Sequence, residues 1–242
     1  LQARIPPRIV SLLGGLMLGL GYILARFVGT SFWGHVLTIG VVGGAGIGLA
    51  YVVPIAVGVR WFPDKKGMLT GLAVAGFGFG AFLWIQLAGN LGQLISLLGI
   101  ANVFLVYGIL FAILVTIGSI WMVNPPEGYQ PPGWDPAAQA KKTAKLGGTR
   151  EFGSLQMLGT PQFYMLWFMF VAGAMAGLMV IGVIKLFGIE RLQAFYGAAG
   201  EADALRKAEV TAELAMAIFF AIANGLGRIG WGVISDFIGR KA

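Results

Sequence analysis

Cysteine is absent from this sequence, histidine occurs once, and charged residues are scarce. Only 11% of the 242 residues are charged, which is about half the usual fraction in soluble domains. By contrast, 57% are hydrophobic and the mean hydropathy is +0.82. The lack of cysteine excludes disulfide and thiol chemistry, and His35 alone cannot form a multi-histidine metal site. Because no cluster of His, Asp and Glu is present either, we expect no enzyme activity, no metal and no cofactor.

The apolar residues form long blocks that predict membrane-spanning helices. A span needs roughly 20 apolar residues, and the uncharged block between Lys66 and Glu127 is long enough for two. We expect that block to turn near Gly89–Gln93. The whole pattern predicts an all-α integral membrane protein with six spans, at about 9–28, 35–59, 68–89, 97–122, 162–187 and 211–234.

The net charge of +7 comes from basic loops, which alternate in strength along the chain, and does not indicate nucleic-acid binding. By the positive-inside rule, the more basic set of loops is cytoplasmic. Both chain ends are then cytoplasmic, and we expect a multi-pass protein of the plasma or inner membrane. The more basic loops carry Arg4, Arg8, Arg60, Lys65, Lys66, Lys141, Lys142, Lys145, Arg150, Arg240 and Lys241; the others carry Arg26, Arg191, Arg206 and Lys207.

Proline marks a boundary in the middle of the chain. Residues 124–136 read N-P-P-E-G-Y-Q-P-P-G-W-D-P, which cannot form a continuous helix. We therefore predict an N-terminal half at 1–122, a cytoplasmic linker at 123–160, and the start of a C-terminal half at 161–242. Because the chain begins in a basic loop and ends just after a loop motif, we expect it to be part of a longer protein.

Glycines spaced four residues apart in the second and third spans predict close helix packing. They are Gly40, Gly44 and Gly48, followed by Gly76 and Gly80. An alternative is that these smooth faces allow helices to slide during a conformational cycle. A dinucleotide site is excluded, because it needs a strand before its glycines.

The last span is followed by a motif of the form G-x-x-x-D-x-x-G-R-K, made by Gly232, Asp236, Gly239, Arg240 and Lys241. Gly239 permits a tight turn, and Asp236 can cap a helix N-terminus, where the helix dipole favours negative charge. The basic pair favours a cytoplasmic loop.

This motif resembles the loop motif of the major facilitator superfamily, whose members carry it after spans two and eight. The stub L-Q-A-R-I-P-P-R resembles the first copy, but Ala3 and Pro6 stand where the motif has aspartate and glycine. Two longer strings, R-W-F-P-D-K-K-G at 60–67 and N-P-P-E-G-Y-Q-P-P-G-W at 124–134, are similar to the oxalate:formate antiporter family. The resemblance implies that the chain covers spans three to eight of a twelve-span bundle, and that the loop motif regulates its opening.

Arg228 is the candidate binding residue. It lies eight residues before Asp236, or about 12 Å along a helix, and Glu213 is too far away in sequence to neutralise it. A cation at this depth must meet water, a partner or an anion, and a guanidinium binds a carboxylate through two parallel hydrogen bonds. Alternatives are snorkelling toward the interface or pairing with an unseen span. The resemblance implies substrate binding by Arg228 and Asn224, in N-G-L-G-R, and a cavity-facing aromatic at Tyr51, for which simple helix packing is the alternative.

The leading hypothesis is a monomeric secondary transporter that exchanges small carboxylate anions across the lipid bilayer by alternating access. A proton-coupled monocarboxylate symporter is the alternative, although no acid or histidine is predicted deep in these spans. A membrane scaffold or channel subunit is the alternative from another class, and it would not need Arg228.

Overall fold

In a computed structural model, the described residues are 5–89, 92–131, 153–200, 202–216, 218 and 221–238. They are overwhelmingly helical and contain no β-strand. In chain order the helices are α1 (Pro7–Ala25), α2 (Phe32–His35), a π-helix (Val36–Gly43), α3 (Gly44–Trp61), α4 (Lys66–Ala88), α5 (Leu94–Leu98), α6 (Ile100–Ser119), α7 (Ser154–Leu158), α8 (Pro161–Ala198), α9 (Ala204–Ala215) and α10 (Ala221–Ile238).

Three of these helical segments are long and apolar enough to cross a membrane among the described residues: Pro7–Ala25, Phe32–Trp61 and Ile100–Ser119. They correspond to predicted spans at 9–28, 35–59 and 97–122. Many of their large apolar side chains are exposed, as expected for surfaces that face lipid or further helices. Helices also occupy the other predicted spans: α4 covers nearly all of 68–89, and α8 covers all of 162–187.

Contacts divide the chain into two compact units. The first contains residues 1–131 together with 217–242, and the second contains 132–216. This division differs from the predicted boundary at 160, because α10 packs along α4. The sequence places α10 after the linker, but its closest described neighbour is a helix that precedes the linker.

Helix α1 is the centre of the first unit and packs against α3, the π-helix and α6. Glycine makes these contacts close: a Cβ built on Gly14 would lie 2.6 Å from the amide nitrogen of Ala50, and one on Gly108 would lie 2.7 Å from the carbonyl oxygen of Gly19. Real Cβ atoms do not approach so closely, so larger residues would force these helices apart. The small core beside them is formed by Val10, Val53 and Val57.

The glycines predicted for packing are different from those that make these contacts. A Cβ on Gly48, Gly76 or Gly80 would meet no atom within 4 Å in the described part of the chain, and one on Gly40 or Gly44 would only reach 4.0 Å. Spacing identified glycine-rich faces, but the position of the neighbouring helix decides which face is used.

The start of the linker folds back on the end of α3. The indole Nε1 of Trp61 donates a 2.8 Å hydrogen bond to the carbonyl oxygen of Val123, and its ring meets that of Tyr129 edge to face at 4.9 Å. We call Trp61, Val123 and Tyr129 the linker clasp. It joins the two strings that resemble the oxalate:formate antiporter family, which lie about sixty residues apart in sequence.

The second unit contains a helical hairpin of α8 and α9. The Lys185 Nζ lies 3.3 Å from the Glu213 Oε2, and the Tyr196 and Thr211 hydroxyls are also 3.3 Å apart. Lys185, which sequence position placed near the end of a predicted span, therefore has a partner 28 residues away. Helix α8 continues eleven residues beyond the predicted span end at 187, because residues 188–198 contain good helix formers and no proline.

Candidate functional site

Helix α10 carries four of the eight predicted site residues. Asn224, Arg228, Gly232 and Asp236 lie along it, separated by four residues each, so they follow one face of the helix. Gly239, Arg240 and Lys241 of the loop motif lie outside the described residues. Two of the predicted substrate residues and the motif aspartate are thus arranged along one helix that packs on α4.

The contact between α10 and α4 fixes the position of this face. A Cβ on Gly67 would lie 2.6 Å from Oδ1 of Asp236, and Cβ atoms on Gly71 and Gly232 would overlap the backbone carbonyls of Arg228 and Gly67. These glycines let the two backbones approach as closely as helices can. Any side chain at Gly71 would push against the backbone that carries the candidate binding cation.

The guanidinium of Arg228 is held by its own helix. Its Nε donates a 2.6 Å hydrogen bond to the amide oxygen Oδ1 of Asn224, one turn earlier. This bond uses only Nε, so the two terminal NH₂ groups are not part of it. A carboxylate could therefore approach the edge of the guanidinium that carries both groups. The side chain of Arg228 is exposed, as access by a ligand requires.

Tyr51 of α3 lies near enough to Arg228 for the arginine charge to act on its phenol group. Its side chain is 36% exposed, so part of the ring contacts neighbouring residues and part remains accessible. The structure thus brings together three predicted substrate residues, Tyr51, Asn224 and Arg228, from two separate helices. A hydroxyl, an amide and a guanidinium form a suitable set for a small anion.

Asp236 caps α4. Its Oδ1 accepts a 2.8 Å hydrogen bond from the Gly67 amide, and its Oδ2 accepts one of 2.8 Å from the Met68 amide. These amides belong to the first turn of α4, where backbone N–H groups lack helical acceptors and the helix dipole is positive. A single carboxylate from the end of one helix therefore satisfies two donors at the start of another.

Sequence reasoning identified Asp236 as a capping residue but did not identify the helix that it caps. One signal was available: the predicted span at 68–89 directly follows Lys65, Lys66 and Gly67, and none of these side chains can accept a hydrogen bond. Helix α4 therefore starts without a side-chain cap of its own. The Lys185–Glu213 pair was also missed, because ion pairs between helices have no fixed sequence spacing.

The described residues contain no group of three or more His, Cys, Asp or Glu side chains able to hold a metal ion. The polar groups that meet in the first unit instead suit an organic anion. A charged side chain within an apolar membrane helix typically faces a cavity, a partner or a ligand.

Helical bundles of this composition form a class of multi-pass membrane proteins. The chain matches the Major Facilitator Superfamily over residues 1–242, and it belongs to that superfamily of transporters.

Curated relatives are similar over nearly the whole chain. It is 27% identical to the uncharacterized MFS-type transporter YhjX of Escherichia coli, over 99% of this chain and 52% of that protein. It is 26% identical to the oxalate:formate antiporter of Oxalobacter formigenes, over 97% and 49%. It is 25% identical to the apicoplast pyruvate carrier 1 of Toxoplasma gondii, again over 97% and 49%. The chain therefore spans about half the length of these relatives.

Proposed function

We propose that this chain forms part of a secondary transporter that exchanges small mono- and dicarboxylates, such as oxalate and formate, by alternating access. The observation that carries the proposal is the position of Arg228: it lies on an apolar helix, is exposed, and in the described part of the chain is hydrogen-bonded through Nε to a neutral amide. Such a cation favours an anionic ligand. The antiporter and pyruvate carrier among the relatives transport molecules of this kind by name.

In this proposal, each substrate residue has a distinct role. Arg228 binds one carboxylate through its terminal NH₂ groups. Tyr51 contributes a hydroxyl and an aromatic face from the opposite helix. Residues outside this chain, which covers about half of its relatives, would bind the rest of the substrate and complete the cavity.

The loop motif has a separate role, at the cytoplasmic end of the same helix. Asp236 bonds the first turn of α4, and Gly232 permits the close approach beside it. We propose that this contact forms when the cytoplasmic side is closed and breaks when it opens. Gly239, Arg240 and Lys241 would shape and anchor the loop that follows. We further propose that both ends of this chain lie on the cytoplasmic side of a plasma or inner membrane. We also propose that the transporter works as a monomer.

A proton-coupled monocarboxylate symporter is a second candidate, favoured by the pyruvate carrier among the relatives. The two candidates predict different dependence on the opposite compartment. Exchange requires a carboxylate on both sides of the membrane, whereas symport requires a proton gradient and proceeds into empty vesicles.

The test is uptake of labelled oxalate, formate, lactate and pyruvate by vesicles that contain the complete gene product. Arg228→Gln should reduce carboxylate uptake at least about 100-fold, because a charge-assisted bidentate contact is lost, while Arg26→Gln at the end of α1 should leave it unchanged. Equal uptake by the Arg228 variant and the unmodified protein would contradict the proposal and favour a scaffold or another solute.

A further inference from the structure

The bond between Asn224 and Arg228 has consequences for the charge of the proposed site. Its Nε–Oδ1 distance of 2.6 Å is short for a hydrogen bond to a neutral acceptor. Asparagine accepts this bond without adding negative charge, whereas aspartate, which has the same shape, would form an ion pair. The residue type at 224 therefore decides whether the site as a whole keeps a net positive charge.

The bond also restricts the orientation of the guanidinium. An arginine side chain has several rotatable bonds, and its planar group binds a carboxylate well only when the terminal NH₂ edge faces it. Fixing Nε against a residue one turn earlier on the same helix orients that edge before the ligand arrives. Ordering that precedes binding lowers the entropic cost of binding.

No described acidic side chain on the neighbouring helices compensates the arginine. Helix α4, which packs on α10, carries only Lys66 among charged residues, and α3 carries Arg60 at its end and Tyr51 near Arg228. On α10 itself, Asp236 is about 12 Å away along the helix and is bonded to the Gly67 and Met68 amides. In the described part of the chain, Asn224 is therefore the side chain bonded to Arg228.

We infer that Asn224 is a positioning residue that orients Arg228 and keeps the site cationic, so that anion binding does not require a proton. This inference rests on the proposed function and deepens it. An acid at 224 would occupy Arg228 as an internal anion and compete with the substrate. Because an adjacent arginine favours the ionised form of a carboxyl group, such an acid would stay charged near neutral pH and keep Arg228 occupied.

The experiment compares three variants of the complete gene product in proteoliposomes. Asn224→Leu removes the acceptor at similar volume, and Asn224→Asp adds charge at the same shape. Asn102→Asp is the matched control, since Asn102 donates a 2.8 Å hydrogen bond to the Leu98 carbonyl of the helical segment before it. Initial rates of labelled oxalate and formate uptake are measured between about pH 7 and about pH 5, where both substrates stay mostly ionised and a carboxyl group paired with arginine stays ionised as well.

Asn224→Leu should raise the KM for oxalate about tenfold, the effect of losing a hydrogen bond to a charged group, with a much smaller change in maximal rate. Asn224→Asp should be poorly active across this pH range, because an arginine partner keeps its carboxyl group ionised. The unmodified protein and Asn102→Asp should stay active across the same range. The amount of inserted protein and its melting temperature in detergent identify any variant that fails to fold.

Two results would overturn the inference: an unchanged KM in folded Asn224→Leu, or folded Asn224→Asp that takes up oxalate as fast as the unmodified protein. Arg228→Gln, measured in the same series, separates this inference from the proposed function. If it retains uptake, the carboxylate site itself is wrong; if it loses uptake while the Asn224 variants behave as the unmodified protein, only the role of Asn224 is wrong.

Discussion

Helices α1 and α4 both pack closely on neighbouring helices through glycine residues, but only the α4 interface also contains a charged contact. At α1, Gly14 and Gly19 fit against α3 and α6 beside a valine core. At α4, Gly67 and Gly71 fit against α10, and the contact ends in the carboxylate of Asp236 on two backbone amides. The first interface depends on shape and apolar contact, so it is suited to remain closed. The second adds an electrostatic contact at one end, which can break without loss of core packing.

The largest expected effect is at the α1 interface. Gly14→Leu should destabilise the protein by about 3 kcal/mol or more, because its side chain would enter the backbone of α3 and the helices would have to separate. Gly48→Leu, at a glycine that meets no described atom within 4 Å, should change stability little. Melting temperatures in detergent measure both, and equal melting temperatures would show that the α1–α3 contact does not limit stability.

At the α4–α10 interface, Gly71→Ala should affect transport more than assembly. The added methyl would push against the Arg228 carbonyl, at a cost of about 2 kcal/mol, and would displace the proposed binding residue. We expect a raised KM for carboxylate uptake. Gly76→Ala, on the same helix in open space, is the control; a raised KM in that variant as well would mean that any bulk added to α4 impairs uptake.

Removing the charge of the cap tests the other half of the comparison. Asp236→Asn keeps the shape, but its single amide oxygen can accept from only one of the two α4 amides and its NH₂ group faces the other, with an expected loss of about 1.5 kcal/mol from the closed contact. The population open to the cytoplasm should then increase severalfold. Accessibility of a cysteine introduced at Met68, whose backbone amide bonds Asp236, to a membrane-impermeant reagent from the cytoplasmic side measures this; the chain has no cysteine of its own. Asp64→Asn, in the adjacent loop, should leave the labelling rate unchanged.

The smallest effect is expected at the linker clasp. Trp61→Phe keeps an aromatic ring against Tyr129 but removes the donor to the Val123 carbonyl, which should lower stability by about 1 kcal/mol. Trp33→Phe, at an exposed tryptophan, provides the comparison. If both variants have the melting temperature of the unmodified protein, the clasp hydrogen bond makes no measurable contribution to stability.

The sequence predicted the class of fold well because long apolar runs leave few alternatives in a membrane. The helices lie within a few residues of most predicted spans, and the family match confirms the superfamily. The predicted span at 211–234 falls on α9 and α10, and some of the residues between them lie outside the described residues.

The pairing of helices was less predictable. Gly76 and Gly80 have the spacing typical of packing faces, yet it is Gly67 and Gly71 that meet α10, because a glycine face matters only where another helix arrives. For the same reason, the residue type of Asp236 predicted a cap but not its partner. The roles of Arg228, Asn224 and Tyr51 in binding stay predictions, although the structure places all three in one region of the first unit.

The length of α8 has a practical consequence for structure determination. Its 38 residues correspond to about 57 Å at 1.5 Å per residue, nearly twice the roughly 30 Å of hydrocarbon in a bilayer. The part of α8 that exceeds the thickness of the hydrocarbon would extend past a detergent micelle. The Lys185–Glu213 pair joins α8 to α9. An antibody fragment raised against this hairpin would provide an alignment marker for electron microscopy.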